Sequence, residues 1–573
     1  MNMKWKIRSD SDPDKTDALA QALNIDQFIA QILVQRGVDT FEKAQQFFRP
    51  SLENLHDPFQ MKDMNKAVSR LTDAIFSGET IMVYGDYDVD GTTAVTMMYS
   101  FLRKMDANAH FYIPHRYKEG YGLSEAGVRK AHELKCSLMI TLDCGITAVD
   151  QVRLANELGM DVIICDHHKP GEQLPEACAV LDPQRNDCAY PFTGLSGCGV
   201  GFKLLQGFIA EQSMDFEVLE EYLDLLCISI GADIVPMVGE NRVLAYFGLA
   251  RIMHQPRLGV RALFNSAGFE KTQISISDVV FILAPRINAA GRIESAEPAV
   301  HLLLSEDHDE ALKWAKQIEG SNTTRREQQT QIFEEAFQQY EEDPWLQDSW
   351  VTVVASEAWQ KGVIGIVASK LMDHRYRPTI VFTESNGVFS GSARSIQGLD
   401  IYDCLSECSD LLIQFGGHSM AAGMTMEKEN LHAFREKLDE AVRKRIHQDD
   451  LVRTIEIDRE LDFRDINSSS YRIIRQLAPF GPGNMRPVFL TRDVVNARNT
   501  RTVGSDQSHL KLHVRQQHKP SPEFDGIGFG MGEKANSIVA GSPFDLVFSL
   551  EENEWRGNVT LQLSVKDLKF QDK

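Results

Sequence analysis

The chain lacks any apolar run of the ~18 or more residues that a membrane span needs. Its N-terminus, MNMKWKIRSDSDPDKTDALAQAL, has no unbroken apolar stretch of the kind a secretory leader carries. A soluble cytoplasmic protein is the expectation, with no membrane association. No CxxC pair occurs either. The cysteines, Cys136, Cys144, Cys165, Cys178, Cys188, Cys198, Cys227, Cys404 and Cys408, are scattered, with no Cys/His quartet at zinc-ligand spacing. Reduced thiols are expected, and neither a disulfide framework nor a structural zinc site. Positive charge is also short, 60 Lys and Arg against 82 Asp and Glu, for a formal net charge of −22. That balance excludes a generally basic nucleic-acid coat but leaves room for a local basic channel, or for carboxylates neutralised by cations. What remains is ordinary globular composition, 43% hydrophobic and 25% charged over 573 residues. Roughly three to four domains are expected.

From about residue 80, short β-rich runs alternate with helical stretches: IMVYG then TTAVTMMYSFLRKM, SLMITL then TAVDQVRLANEL, DVIIC, then LEEYLDLLCISIG. This alternation reads as βαβ units around a mainly parallel sheet. Leu312, Ala315 and Ile318, then Ile332, Phe333, Ala336, Phe337 and Tyr340, keep helical spacing across a Pro-free stretch, which predicts one long connecting helix weakened near Gly320. A smaller α/β segment follows, with strands at WVTVVAS and PTIVFT, helices at VIGIVASKLMDHR and IYDCLSECSDLLIQF, and a glycine-rich FGGHSMAAG between elements. The last part has short strands closed by turns, which suggests a small barrel of OB type. The fold class expected is therefore α/β: two α/β domains joined by a long helix, then an OB-like β-barrel. The boundaries expected are an N-terminal segment at 1–50, the first domain at 51–305, the helix at 306–345, the second domain at 346–445 and the barrel at 446–573.

Chemistry concentrates where apolar runs end. The first closes in GDYDVDG, giving Asp86, Asp88 and Asp90 at alternate positions before a helix. Carboxylates so close repel unless a cation neutralises them, and a hard divalent ion such as Mg²⁺ or Mn²⁺ suits oxygen ligands. An acidic N-cap cluster is the plainer reading. A calcium-binding EF-hand is excluded, because Met97 and Tyr99 stand where its twelfth-position Glu belongs. SLMITLDCG ends in Asp143, DVIICDHHKP in Asp166, His167 and His168, and the apolar segment LLCISIGADIVPM delivers Asp233. In an open parallel sheet such ends gather on one rim. Together they can hold two cations ~3.5–4 Å apart, which activate water and stabilise both oxygens of a phosphodiester displacement. For the histidines alone, a satisfied turn is the alternative.

In this order DYDVDG, LDCG, CDHHKP and GADIVP resemble the four motifs of the DHH phosphoesterase superfamily, and FGGHSMAAG resembles the GGH signature of its associated second domain. Within the superfamily the chain is most similar to the RecJ family of single-strand-specific 5′ to 3′ exodeoxyribonucleases, along nearly its whole length. The resemblance implies that Asp88, Asp90, Asp143, His167 and Asp233 bind two Mg²⁺ or Mn²⁺ ions, with Asp143 bridging them. It implies that His168 faces the phosphate or orients water, and that Asp166 fixes an imidazole tautomer from behind. Asp86 is a ligand or an outer carboxylate, and some relatives carry His where this chain has Tyr84.

Arg116 in IPHRYKEGYGL resembles an arginine near the 5′ phosphate, with Ser392 and Arg394 in FSGSARS as its partners. Arg286, Asn288 and Arg292 of PRINAAGR, and Gly416, Gly417 and His418 of the GGH signature, are expected in the same cleft, because guanidinium groups and closely approached backbone amides bind phosphate oxygens. Surface ion pairs are the plainer reading of each arginine, and a tight turn that of the glycines. From Thr491 to Pro520 there are six Lys or Arg against two Asp, a strip that fits tracking of a single strand or an exposed hairpin face equally. Trp555 and Phe529 are expected in a core, with base stacking as the alternative.

These readings give a single-stranded-DNA exonuclease that releases nucleotide 5′-monophosphates. It is expected to act in recombination and repair, as a monomer, with single-strand-binding protein and a RecQ-like helicase as partners implied by the resemblance. A phosphoesterase for very short oligonucleotides is a rival that the barrel disfavours. A catalytically dead scaffold is a second, disfavoured by intact motifs.

Overall fold

The computed structural model describes residues 3–571 apart from 10, 272, 518–519 and 556–557. The chain forms two units, one of residues 52–451, the other of residues 1–51 with 452–573. Among the described residues no helix is long and apolar enough to cross a membrane.

In the unit 52–451, β1 (Thr80–Gly85), β2 (Asn108–Tyr112), β3 (Leu138–Leu142), β4 (Asp161–Cys165) and β5 (Ala179–Leu181) form a parallel sheet in the order β2-β1-β3-β4-β5. Every residue of β3 is buried, and all of β4 but its first, which is why these strands read as unbroken apolar runs. Helices α1 (Val89–Lys104), α2 (Gly197–Glu211) and α3 (Leu223–Ala232) pack together on the sheet's core. From β1 the chain moves outward to β2, then returns to β3 on β1's other side. The crevice at the carboxyl ends of β1 and β3 is thus the switch point where open α/β sheets place ligands.

LLCISIGA lies within α3, so Asp233 follows a helix, as its C-cap, where Asp143 and Asp166 follow strands. All of Leu223 to Gly231 is buried, and a helix apolar on every side shows no periodicity to read.

Helix α4 (Ala284–Ile293), entered through a π-helical turn at Val279–Leu283, carries the PRINAAGR residues. Then α5 (His308–Glu342) runs 35 residues without a break at Gly320. A mid-helix glycine costs about 1 kcal/mol. That cost is offset because Ala311, Ala315 and Ile318 are buried in one core, and Ile332 and Ala336 in another. The second sheet contains β6 (Thr352–Ser356), β7 (Thr379–Ser385), β8 (Val388–Arg394), β9 (Gln414–His418) and β10 (Ala421–Met426), in the order β9-β10-β8-β7-β6. Only β6 and β7 are parallel. FGGHSMAAG is therefore a strand hairpin, not a connection between elements. A Cβ on Gly417 would lie 2.4 Å from the Ala421 carbonyl, so the pairing itself requires glycine there. Helix α6 (Lys361–His374) packs against β7 and β8.

In the other unit, a seven-stranded sheet runs Arg459–Glu460, Phe489–Asn496, Phe544–Trp555, Asn558–Phe570, Phe524–Gly528, His509–Gln516, Arg501–Val503. Phe489–Asn496 also pairs with His509–Gln516, which closes the barrel. Residues 1–50 belong to this unit: Lys4–Ile7 pairs in parallel with Thr454–Ile457, and Leu19, Phe28 and Ile32 share the core with Phe489 and Phe548. Phe529 is 66% exposed and meets His509 edge-on at 5.2 Å, contrary to the expectation of core packing. The side chain of Trp555 and residue Lys519 lie outside the described residues. Within the basic strip, Arg492 pairs with Glu460 and Asp545, and Arg498 with Glu523.

Candidate active site

The carboxyl ends of β1, β3 and β4 deliver Asp86 to Asp88, Asp143, and Asp166 to His168 to one crevice. Asp88 caps α1, its Oδ1 accepting from the Gly91 amide at 3.0 Å. Asp90, in the first turn of α1, accepts from Gly197 N at 2.6 Å, Cys198 N at 2.8 Å and Ser229 Oγ at 2.7 Å. The N-terminus of α2 thus holds this buried carboxylate. Asp143 and Ile234, which follows Asp233, both sit in the left-handed region, with φ 60° and 58°. For a β-branched residue this is strained backbone, of the kind that persists where the surroundings impose it.

His167 is set for a cation. Its Nδ1 lies 3.0 Å from the Leu195 carbonyl, so Nδ1 carries the proton and Nε2 is left as a bare acceptor. That Nε2 lies 3.1 Å from Asp143 Oδ1, 3.6 Å from Asp233 Oδ2 and 3.8 Å from Asp90 Oδ2. Asp143 Oδ1, Asp86 Oδ2 and His167 Nε2 are all buried without a hydrogen-bond partner among the described residues. Orphaned buried polar atoms are rare in folded proteins. Adjacent ligands of an octahedral ion at about 2.1 Å stand about 3 Å apart, so the His167–Asp143 spacing fits a shared cation. Two overlapping sets can hold an ion, Asp143 with His167 and His168, and Asp90 with His167 and Asp233.

Asp166 plays a different part. Its oxygens accept from Ile146 N at 2.9 Å, His167 N at 2.7 Å, His168 N at 3.2 Å and His168 Nδ1 at 2.7 Å. Burial works to raise its pKa, but the hydrogen bond and charge of His168 win and hold it below the ordinary carboxylate value. For His168 burial works downward, yet the bond to Asp166 prevails and raises it to about 9. Its Nε2 meets the Tyr121 hydroxyl at 2.9 Å. Asp86, Asp143 and Asp233 are pushed well above the ordinary value, by burial first and then by neighbouring carboxylates, Asp88 and Asp90 foremost. Asp90 is raised by burial too, against the pull of His167. Tyr84 is committed elsewhere: its hydroxyl donates to the Gly122 carbonyl at 2.8 Å and accepts from Ser124 N at 3.1 Å.

Basic groups gather beside the carboxylates. The Arg116 guanidinium lies 3.9 Å over the Tyr87 ring, between the two aspartates of DYD, and its Nε donates to the Gly291 carbonyl at 3.2 Å. Arg292 is lowered to about 9 by burial, then by Arg116 and Arg394, so the three guanidinium groups share one neighbourhood. Arg394 Nη1 donates to Ser392 Oγ at 3.1 Å. The Asn288 Oδ1 is buried and unpartnered among the described residues. Gly416, Gly417 and His418 lie on the exposed edge strand β9, where His418 Nδ1 accepts from Met420 N at 3.4 Å.

Arg286 departs from expectation. It is 5% exposed and spends its guanidinium on Glu319 of α5, at 2.7 Å, and on the Ile282 carbonyl at 2.9 Å. The π-helical turn before α4 and the long helix α5 supply these partners.

Sequence reasoning missed Ser196, Gly197 and Ser229 around Asp90, and Lys361 at the start of α6, whose pKa burial and Arg116 both lower. The glycine spacing of LSGCGVG was the available signal. A Cβ on Gly197 would lie 2.5 Å from Asp143 Cβ, so the helix start approaches the site too closely for any side chain.

Three family models match the chain, the DHH family N-terminal domain at residues 80–230, the DHHA1 domain at 347–444 and the RecJ OB domain at 457–567. The single-stranded-DNA-specific exonuclease RecJ of Escherichia coli K12 is 32% identical over 558 residues, covering 94% of this chain and 95% of its own. The chain belongs to the RecJ family. Bacillus subtilis RecJ is 41% identical over 567 residues, which cover 99% of this chain and 70% of that protein. The crystal structure of Thermus thermophilus RecJ in complex with Mn²⁺ superposes with a TM-score of 0.84 at 27% identity, covering 100% of this chain and 80% of that one. A Mg²⁺ complex of RecJ from the same organism superposes at 0.78.

Proposed function

We propose that this RecJ-family protein is a metal-dependent exonuclease that degrades single-stranded DNA from 5′ to 3′ and releases nucleotide 5′-monophosphates. The observation that carries the reading is the pair of unpartnered, buried atoms, His167 Nε2 and Asp143 Oδ1, facing each other at 3.1 Å. Asp88, Asp90, Asp143, His167 and Asp233 would hold two divalent cations, Mg²⁺ or Mn²⁺, with Asp143 a ligand and Asp86 an outer carboxylate. When bound, such ions lower the pKa of water and stabilise charge on the departing 3′ oxygen.

The chain's own groups do the rest. Asp166 holds the Nδ1 proton of His168, so the ring turns its other nitrogen to the Tyr121 hydroxyl. His168, raised to about 9 by its bond to Asp166, would present positive charge to a phosphate oxygen beside the Tyr121 hydroxyl. Arg116, Arg292 and Arg394 neutralise the phosphates of the strand's end, with Ser392 and Asn288 beside them. Gly416, Gly417 and His418 offer a further contact from β9. The residue ranges expected for the domains are proposed with this reading, amended by the joining of residues 1–51 to the barrel unit.

Purified Asp143→Ala and His167→Ala are expected to lose cleavage of a long single strand in Mn²⁺ while retaining much of their DNA binding. Full activity in either would sink the assignment. A cytoplasmic monomer, working in recombination and repair with single-strand-binding protein and a RecQ-like helicase, completes the proposal; co-purification from cell extract and sizing in solution test those parts.

A further inference from the structure

Tyr117 takes no part in the reaction described above, yet three chain segments meet on it. The loop after β2 carries it to the carboxyl end of α4, where its hydroxyl donates to the Arg292 carbonyl. The same oxygen accepts from Gln360 Nε2 at 3.0 Å, on the residue that precedes α6. Arg292 returns the contact through its side chain, Nη1 donating to the Gly362 carbonyl at 3.0 Å. The approach is as close as backbone permits: a Cβ on Gly362 would lie 2.4 Å from both the Arg292 carbonyl oxygen and the Tyr117 hydroxyl. Arg116, one residue before Tyr117, takes its own register from the neighbouring Gly291 carbonyl.

The carbonyl of Arg292 is among the last four of its helix, which have no partner within the helix. A hydroxyl that satisfies it, and is itself held by a second donor, fixes the point from which the guanidinium extends. That matters because Arg116, Arg292 and Arg394 repel one another, and an untethered group would swing away before an anion arrives. Phosphate binding by a planar fork also depends on geometry more than on charge alone.

We infer that Tyr117 and Gln360 are positioning residues that hold Arg292 toward the terminal phosphate of the strand, and so contribute to telling a 5′-phosphorylated end from a 5′-hydroxyl end. This rests on the exonuclease reading for the identity of the anion. Tyr117→Phe removes one oxygen and leaves the ring. Binding of matched 5′-phosphorylated and 5′-hydroxyl oligonucleotides is measured by fluorescence anisotropy in Ca²⁺, with wild-type cleavage in Mn²⁺ run alongside. The variant should bind the phosphorylated strand about threefold to tenfold more weakly, the worth of one hydrogen bond, and the hydroxyl strand unchanged. In Mn²⁺ its KM should rise by the same factor with kcat within about twofold. Gln360→Ala should show a smaller shift of the same kind, and serves if Tyr117→Phe folds poorly. Unchanged discrimination in both variants, or equal weakening for both strand ends, would overturn the inference. Absence of wild-type cleavage would instead overturn the exonuclease reading, since the binding comparison stands without it.

Discussion

His167 Nε2 lies 3.1 Å from Asp143 Oδ1, and neither buried atom has a hydrogen-bond partner among the described residues. Two acceptors this close repel one another unless a proton or a cation is held there.

The first consequence concerns protons. Burial and neighbouring carboxylates raise the pKa values of Asp86, Asp90, Asp143 and Asp233 in the folded chain. The folded state therefore holds more protons than the unfolded chain, and stability from these groups is lost as pH rises from the ordinary carboxylate range through the raised values. Cation binding must displace those protons. Calorimetry in buffers of different ionisation enthalpy should show proton release on Mn²⁺ binding. The melting temperature gained on adding Mn²⁺ should be larger at pH 8 than at pH 6; equal gains would contradict the shared site.

A second consequence concerns His168. Its pKa, raised to about 9 through Asp166, means that stability from the pair is fully present below the unfolded histidine value and is lost as pH rises through about 9. Asp166→Asn keeps the shape but removes the charge, so the alkaline limb of the rate profile should move to lower pH, with a rate loss of about 10²-fold or more. An unmoved limb would show that His168 is not the titrating group.

Gly197 supplies a steric prediction. Gly197→Ala would place a methyl 2.5 Å from Asp143 Cβ, forcing that aspartate or the start of α2 to shift. Metal affinity should fall by about 10–100-fold, as for displaced outer supports of metal ligands, and the melting temperature without metal should fall as well, because the clash reaches the Asp143 backbone. Mn²⁺ titration followed by spin resonance reads the affinity directly.

How much of this was legible follows from the range of the contacts. Asp143, Asp166, His167 and His168 follow short buried strands directly, so the switch from apolar to ionisable residues marked them within a few positions. Asp233 was found in the same way, at the end of an apolar run that forms a helix buried from Leu223 to Gly231. The cradle around Asp90 was not found, since Gly197 and Ser229 reach it from more than a hundred residues away in sequence. Arg286 was expected in the cleft with the rest of its motif; only the fold shows Glu319 of α5 beside it. The partnership of residues 1–50 with the barrel, through Lys4–Ile7 and Thr454–Ile457, has no local sign at all.

The buried pair Lys203–Glu240 gives a stability prediction independent of the site. Lys203 Nζ donates to Glu240 Oε1 at 3.0 Å and to the His56 carbonyl at 2.7 Å, with no side-chain exposure. Burial lowers its pKa and Glu240 partly restores it. Lys203→Met leaves Glu240 buried without its cation and should cost about 3–5 kcal/mol in urea unfolding. Cleavage per folded molecule at low temperature should be unchanged.

The most direct measurement is digestion of one long single strand of DNA, labelled at its 5′ end in one sample and at its 3′ end in another, by wild type and Asp143→Ala, with Mn²⁺ and with chelator. The wild type with Mn²⁺ should release the 5′ label at once as a mononucleotide and the 3′ label only late, and both the variant and the chelated enzyme should release neither. Early release of the 3′ label, or undiminished digestion by Asp143→Ala, would contradict the metal-dependent 5′ to 3′ assignment.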